Sequence, residues 1–170
     1  MQIVSLTMDH EAALAAFTAD FHDNGEPDIP GWFPEPEWDH AQLLTEVNAW
    51  ARGERLEEGW VPCTSLFAEE DGQLLGIANV RHHLNDFLQT YGGHVGYGVR
   101  PSARGRGVAT KLLAASLDLL RGLGQERALL TCAPSNLGSI KVIERNGGVL
   151  QDTYAHEQFG MVNRYWLSTS

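Results

Sequence analysis

The sequence is short of cysteine. Cys63 and Cys132 lie far apart and form no Cys-x-x-Cys pair, which removes both a disulfide framework and the usual zinc spacing. Two reduced thiols are the plain reading, and no metal is expected. No stretch approaches the ~20 apolar residues that a membrane helix needs. The opening Met1-Gln-Ile-Val has neither a basic start nor a long apolar run, so it does not read as a secretory signal. These absences point to a cytoplasmic globular protein. Internal repeats, low-complexity tracts and linkers are also missing, so residues 1–170 read as one domain able to bury its apolar surface round one core.

Acid is missing from one stretch and concentrated in another. Residues 1–72 hold 16 acidic and 2 basic side chains, whereas the rest of the chain holds 6 acidic and 10 basic. Between Phe87 and Leu117 there is no carboxylate, yet Arg100, Arg104, Arg106 and Lys111 sit there. An acidic protein, net charge -10, with one short basic segment is a poor nucleic-acid binder; it suits a compact anion bound locally. A solvated arginine-bearing loop would leave the same count.

Residues 1–7 read as a strand, and Asp9 as the cap of a helix carrying Leu14, Phe17 and Phe21 on one face. Four prolines make residues 25–37 an irregular loop, and a second helix carries Leu43, Val47 and Trp50. Asp71-Gly72 between residues 64–70 and 73–80 is a hairpin signal. Residues 84–93 read as a loop and 94–99 as a strand. Val108, Leu112, Ala115 and Leu119 then mark an amphipathic helix ended by Gly122 and Gly124. An apolar strand at 127–132, a helix capped by Ser135 or Asn136, and strands at 149–154 and 161–167 complete the order. It predicts a mixed, mostly antiparallel α/β sheet flanked by helices.

The run Arg104-Gly105-Arg106-Gly107-Val108-Ala109 follows a strand and starts a helix, where the first backbone N–H groups lack partners. Two glycines, the positive helix end and two arginines suit a diphosphate. The dinucleotide fingerprint fails, because its third glycine is absent, and no ATP-loop string occurs. Arg104-x-x-Gly107-x-Ala109 instead resembles the Arg/Gln-x-x-Gly-x-Gly/Ala signature of the GNAT N-acetyltransferase superfamily. Val99-x-Pro101 precedes it, and Asn136-x-x-Ser139 with Gly147 is similar to the family's later block. The likeness covers roughly residues 94–150.

The resemblance implies a GNAT-like fold, acetyl-CoA as cosubstrate, and direct acetyl transfer to an amine. It implies that the backbone of Arg104, Gly105, Arg106, Gly107, Val108, Ala109 and Thr110 holds the pyrophosphate, and that Val99 pairs with the pantetheine arm. Asn136 and Ser139 match positions that contact CoA, although a plain helix cap explains Asn136 equally well. Two positions depart from the family: Ile143 stands where many members carry a tyrosine acid, and Gly148 where an aromatic is usual.

In the strand before the loop, alternation sets His94, Gly96 and Gly98 on one face and Val95, Tyr97 and Val99 on the other. The glycines suit a close-lying pantetheine arm or a bulky neighbour. His94 is a candidate base and Tyr97 a candidate donor to the leaving thiolate; His82 and His83 are further candidates. Cys132 reads as packing, which disfavours an acyl-enzyme. The acidic first 72 residues, with the 32–38 loop, are expected to shape a site for a cationic acceptor, a small-molecule or peptide amine. Neither nucleic acid nor membrane is an expected partner, and a homodimer is left open. The alternative is a non-catalytic GNAT-like module that senses CoA or binds a partner, the reading that Ile143 favours.

Overall fold

A computed structural model describes residues 1–32 and 38–170. The chain runs β1 (Gln2–Val4), α1 (Glu11–Asp23), α2 (His40–Ala51), β2 (Cys63–Glu70), β3 (Gln73–Arg81), α3 (Asp86–Thr90), β4 (Val95–Val99), α4 (Val108–Gly122), β5 (Arg127–Cys132), α5 (Leu137–Arg145), β6 (Val149–His156) and β7 (Gly160–Ser168). One sheet is ordered β1-β2-β3-β4 and the other β5-β7-β6, and all the ladders described are antiparallel. The Asp71-Gly72 hairpin forms as expected, with both residues at positive φ, 51° and 74°.

Helices cover both faces of the first sheet. On one face, Phe17 and Phe21 of α1 pack with Phe67, Leu74 and Ile77, the two phenylalanine rings meeting edge to face at 5.2 Å. On the other, Leu112, Leu113 and Leu120 of α4 are sealed against Ala78, Val80, Val95 and Leu130. Each fully buried leucine contributes about 1.5–3 kcal/mol. Gly76 sets how near α4 comes. A Cβ there would lie 3.0 Å from Val108 and Leu112 side chains and 2.9 Å from the Gly98 carbonyl oxygen. The start of α4 is thus seated directly on β3, beside the end of β4.

Three expectations need correction. Residues 84–93 are not all loop, because Asn85 accepts a bond from Leu88 N–H at 2.9 Å and starts α3. Asp9 does not cap α1; Thr7 leads a 3-10 turn at Met8–His10, its N–H donating to His10 Nδ1 at 3.0 Å. The first strand stops at Val4 rather than at residue 7. The irregular segment expected at 25–37 is described as far as Trp32; Phe33 to Glu37, and with them most of the 32–38 loop, lie outside the described residues.

Candidate active site

β4 and β5 are edge strands of separate sheets, facing each other without forming a ladder. On its other side β4 pairs with β3, and the phase of that ladder is fixed by two bonds. Arg81 N–H donates to the His94 carbonyl at 2.8 Å, and Arg100 N–H to the Leu75 carbonyl at 3.0 Å. Antiparallel alternation then turns the N–H groups of Tyr97 and Val99 away from β3, toward the free edge. The gap is closed at one end, where His94 N–H donates to the Leu129 carbonyl at 2.7 Å and Gly92 N–H to Thr131 Oγ1 at 2.9 Å.

Past Val99 the chain reaches the glycine loop. Gly105 and Gly107 sit at φ 78° and 80°, the left-handed region that side chains disfavour, although a Cβ would meet nothing within 4 Å at either. Gly107 is the N-cap of α4, and the first intrahelical bond runs from Lys111 N–H to its carbonyl at 3.1 Å. The amides of Val108, Ala109 and Thr110 therefore have no intrahelical partner, and no side chain caps the helix. The arginines differ from expectation. Arg104 holds Glu26 through two bonds, at 2.8 and 2.5 Å, and its Nε donates to the Val99 carbonyl at 3.2 Å. Arg106 pairs with Glu70. Both guanidiniums are about half exposed, so these pairs can exchange for other anions.

His94 does not serve as the expected base. It is 2% exposed and outside the cavity. Its Nδ1 accepts from Leu129 N–H at 2.9 Å, which consumes the lone pair of the neutral ring and sets the hydrogen on Nε2. Burial, with Arg81 and His83 charges nearby, pushes its pKa down to about 4. His82 Nε2 lies 2.8 Å from Thr64 Oγ1, and neither it nor His83 lines the cavity. Tyr97 does line it. Its hydroxyl donates to the Ser139 carbonyl at 3.4 Å, and burial raises its pKa to about 12. Cys132 lines the cavity too, with a thiol pushed up to about 11 by burial.

The glycine face of β4 is filled by the chain itself rather than left for a pantetheine arm. Pro30 packs against Gly98, and Gly31 lies over the carbonyl of Gly96. Asn136 caps α5, accepting from Ser139 N–H at 3.0 Å, so the cap reading holds whatever else the pair does. Ile143 is core, 1% exposed. A Cβ on Gly148 would stand 2.9 Å from its carbonyl oxygen, so the family's usual aromatic has no room.

A cavity of about 840 Å³ opens between the two sheets. Tyr97, Cys132, Asn136 and Ser139 form one wall; Tyr91, Phe87 and Phe159 form an aromatic one; Cys63, Asn79 and Arg81 form the third. Among the described residues its one carboxylate is the exposed Glu58. Of the acidic first 72 residues, Asp20, Glu26 and Glu70 are engaged by Arg100, Arg104 and Arg106, and the loop carboxylates Glu35 and Glu37 expected to wall an acceptor site lie outside the described residues. The sequence reading missed Arg81, Tyr91 and Phe159, whose partners lie far along the chain. Among the described residues no group of three or more His, Cys, Asp or Glu could hold a metal ion, and no helix is long and apolar enough to cross a membrane.

Comparison with known proteins fits this geometry. The acetyltransferase (GNAT) family model matches residues 23–148. A mycothiol acetyltransferase of Streptomyces coelicolor is 32% identical over 101 residues, 59% of this chain and 32% of that relative. The matched stretch spans about a third of the length of the curated relatives. The yncA protein of Salmonella typhimurium, solved with its cofactor acetyl-CoA, superposes with a TM-score of 0.67 at 19% identity, covering 99% of this chain and 94% of that one. RimJ of Mycobacterium smegmatis, in complex with CoA-disulfide, gives 0.69 at 20% identity over 98% and 80%. Both likenesses are of fold.

Proposed function

The chain belongs to the GNAT acetyltransferase family, and we propose that it carries an acetyl group from acetyl-CoA directly to an amine, as one such domain over residues 1–170. One observation supports this above the rest: the free edge of β4 leads from the cavity to the bare amides of α4. The amides from Gly105 to Thr110 suit the pyrophosphate, with Arg104 and Arg106 released from Glu26 and Glu70 to assist. Val99 N–H, turned to the free edge, suits an amide of the pantetheine arm. Asn136 and Ser139 flank the same gap.

Bound acetyl-CoA supplies an acetyl carbon already activated as a thioester. The N–H group of Tyr97, on the same free edge, offers a donor to the oxygen that gains charge when the amine attacks. Tyr97 keeps its proton through the neutral range and gives it to the departing sulfur as the carbon–sulfur bond breaks. The new N–C bond leaves an extra proton on nitrogen, which passes to water at the mouth, where Glu58 is exposed, and water returns a proton to the Tyr97 phenolate to close the cycle. The Cys132 thiol, held protonated, is a poor nucleophile, and no acyl-enzyme step is invoked.

Thermal shift with acetyl-CoA, CoA, ATP and NAD, followed by thiol release over a panel of amines, tests the reading. Selective stabilisation by the CoA pair and release with at least one amine are expected. Stabilisation with no release across the panel would leave a CoA-sensing domain in its place.

A further inference from the structure

We propose that Arg81 recognises a carboxylate on the acceptor, so that the amine substrate is an amino acid rather than a simple amine. The inference rests on the acetyl-transfer reading above and names the substrate class for that site. Seven of the chain's other arginines pair with a carboxylate. Of the remaining two, Arg127 lies over the Trp166 ring at 4.6 Å and Arg145 is exposed. Arg81 is only partly exposed, and among the described residues it has no carboxylate partner.

Its side chain enters the fold from the end of β3, and Nη1 donates to the Gly92 and Gly93 carbonyls at 3.1 and 3.2 Å. Those two bonds fix the turn before β4 and orient the guanidinium. They leave Nη2 and Nε without a described partner. The ionisable groups that act on it are Cys63 and Tyr91, neither a carboxylate, and burial lowers its pKa. A half-buried cation without an anion loses hydration uncompensated, and a guanidinium presents a fork matched to a carboxylate.

The unpartnered side of the fork faces usable space. Arg81 lines the cavity beside Gly96, where a Cβ would come within 3.6 Å of Nη2 and cover it. Next to it Tyr91 and Phe159 stack at 3.9 Å with rings 13° apart. Phe87 adds an edge to Tyr91 at 5.8 Å. A carboxylate site beside an aromatic wall, in a cavity opening on the free edge of β4, fits an amino acid with an apolar side chain.

The test pairs each of several apolar amino acids with its amide and its decarboxylated amine, and compares kcat/KM in the presence of acetyl-CoA. A charge-assisted pair predicts that the acid exceeds the decarboxylated amine by about tenfold or more. In Arg81→Gln the ratio should collapse toward one, and in Arg81→Lys part of it should remain. The wild-type ratio stands alone if the glutamine variant loses the Gly92–Gly93 turn. Equal turnover of acids and decarboxylated amines would overturn the proposal and leave the transfer reading intact. If no amine releases thiol, the transfer reading fails. Thermal shift of the CoA-loaded protein with N-acetyl amino acids and N-acetyl amines then decides. Stabilisation by the acids alone, lost in Arg81→Gln, upholds the carboxylate site; equal or no stabilisation overturns it.

Discussion

His94 and Leu129, one on each side of the gap between the sheets, exchange two hydrogen bonds. The His94 amide donates to the Leu129 carbonyl at 2.7 Å, and the Leu129 amide donates to His94 Nδ1 at 2.9 Å. The ring is thereby neutral, with Nε2 sealed and unpartnered among the described residues. A second proton would have to displace the Leu129 bond and would bury a charge.

That arrangement predicts acid sensitivity with a definite window. The ring titrates near 6.5 when unfolded and near 4 when folded, so folding favours its neutral form. The contribution is complete above pH 6.5 and is lost as pH falls toward 4, by about 3 kcal/mol at most. Urea midpoints across this range should fall more steeply for the wild type than for His94→Gln. The variant should start lower at pH 7, by about 1–3 kcal/mol for the bond it weakens. Parallel profiles would mean that the ring is not sealed.

Gly107 should be replaceable by one kind of residue only. Its φ of 80° is the constraint, since a Cβ there meets nothing within 4 Å. Asparagine tolerates that conformation, so Gly107→Asn should keep acetyl-CoA affinity within a few-fold. Gly107→Val should lose it by more than about tenfold, because strain of about 1–2 kcal/mol turns the first amides of α4 aside. Calorimetric titration, with a melting curve to show that the fold persists, checks both.

Tyr97→Phe deletes one hydroxyl whose described bond, to the Ser139 carbonyl, is a long 3.4 Å. Stability should change by less than about 1 kcal/mol. If the hydroxyl protonates the leaving sulfur, kcat falls by about 10²-fold or more while KM for acetyl-CoA holds. An unchanged kcat removes Tyr97 from the chemistry.

Glu26→Gln frees Arg104 from its resident carboxylate. Acetyl-CoA should bind more tightly, by less than about tenfold for so exposed a pair, and the gain should shrink as salt rises. Titrations at two ionic strengths read both effects. Weaker binding would mean that Glu26 positions Arg104 instead of competing for it.

What the sequence made legible were features settled within a few residues. Asp71-Gly72 turns its hairpin by its own backbone preference, and Gly107 begins α4 where a strand gives way to a helical stripe. The roles that depend on distant partners were not readable. His94 looked like a free imidazole on a glycine-lined strand until Leu129, 35 residues on, took its lone pair. Arg104 and Arg106 looked like bare cations because Glu26 and Glu70 precede them by 78 and 36 residues. Arg81 drew no attention at the end of an apolar strand, since what distinguishes it is the lack of a carboxylate partner among the described residues. Local chemistry announces itself in a chain; three-dimensional pairing does not.

The separation of β4 from β5 has a consequence for motion. The protein is sewn along every ladder except one, and that open seam is pinned at the His94–Leu129 end. A ligand lying along β4 would act as the missing thread, giving the Tyr97 and Val99 amides the partners that no strand provides. Hydrogen exchange at those two amides should then slow on loading with acetyl-CoA, as it should at the bare amides that start α4, while Gly96 and Gly98, already stitched to β3, change little. In that sense the cosubstrate would complete the sheet as well as react on it.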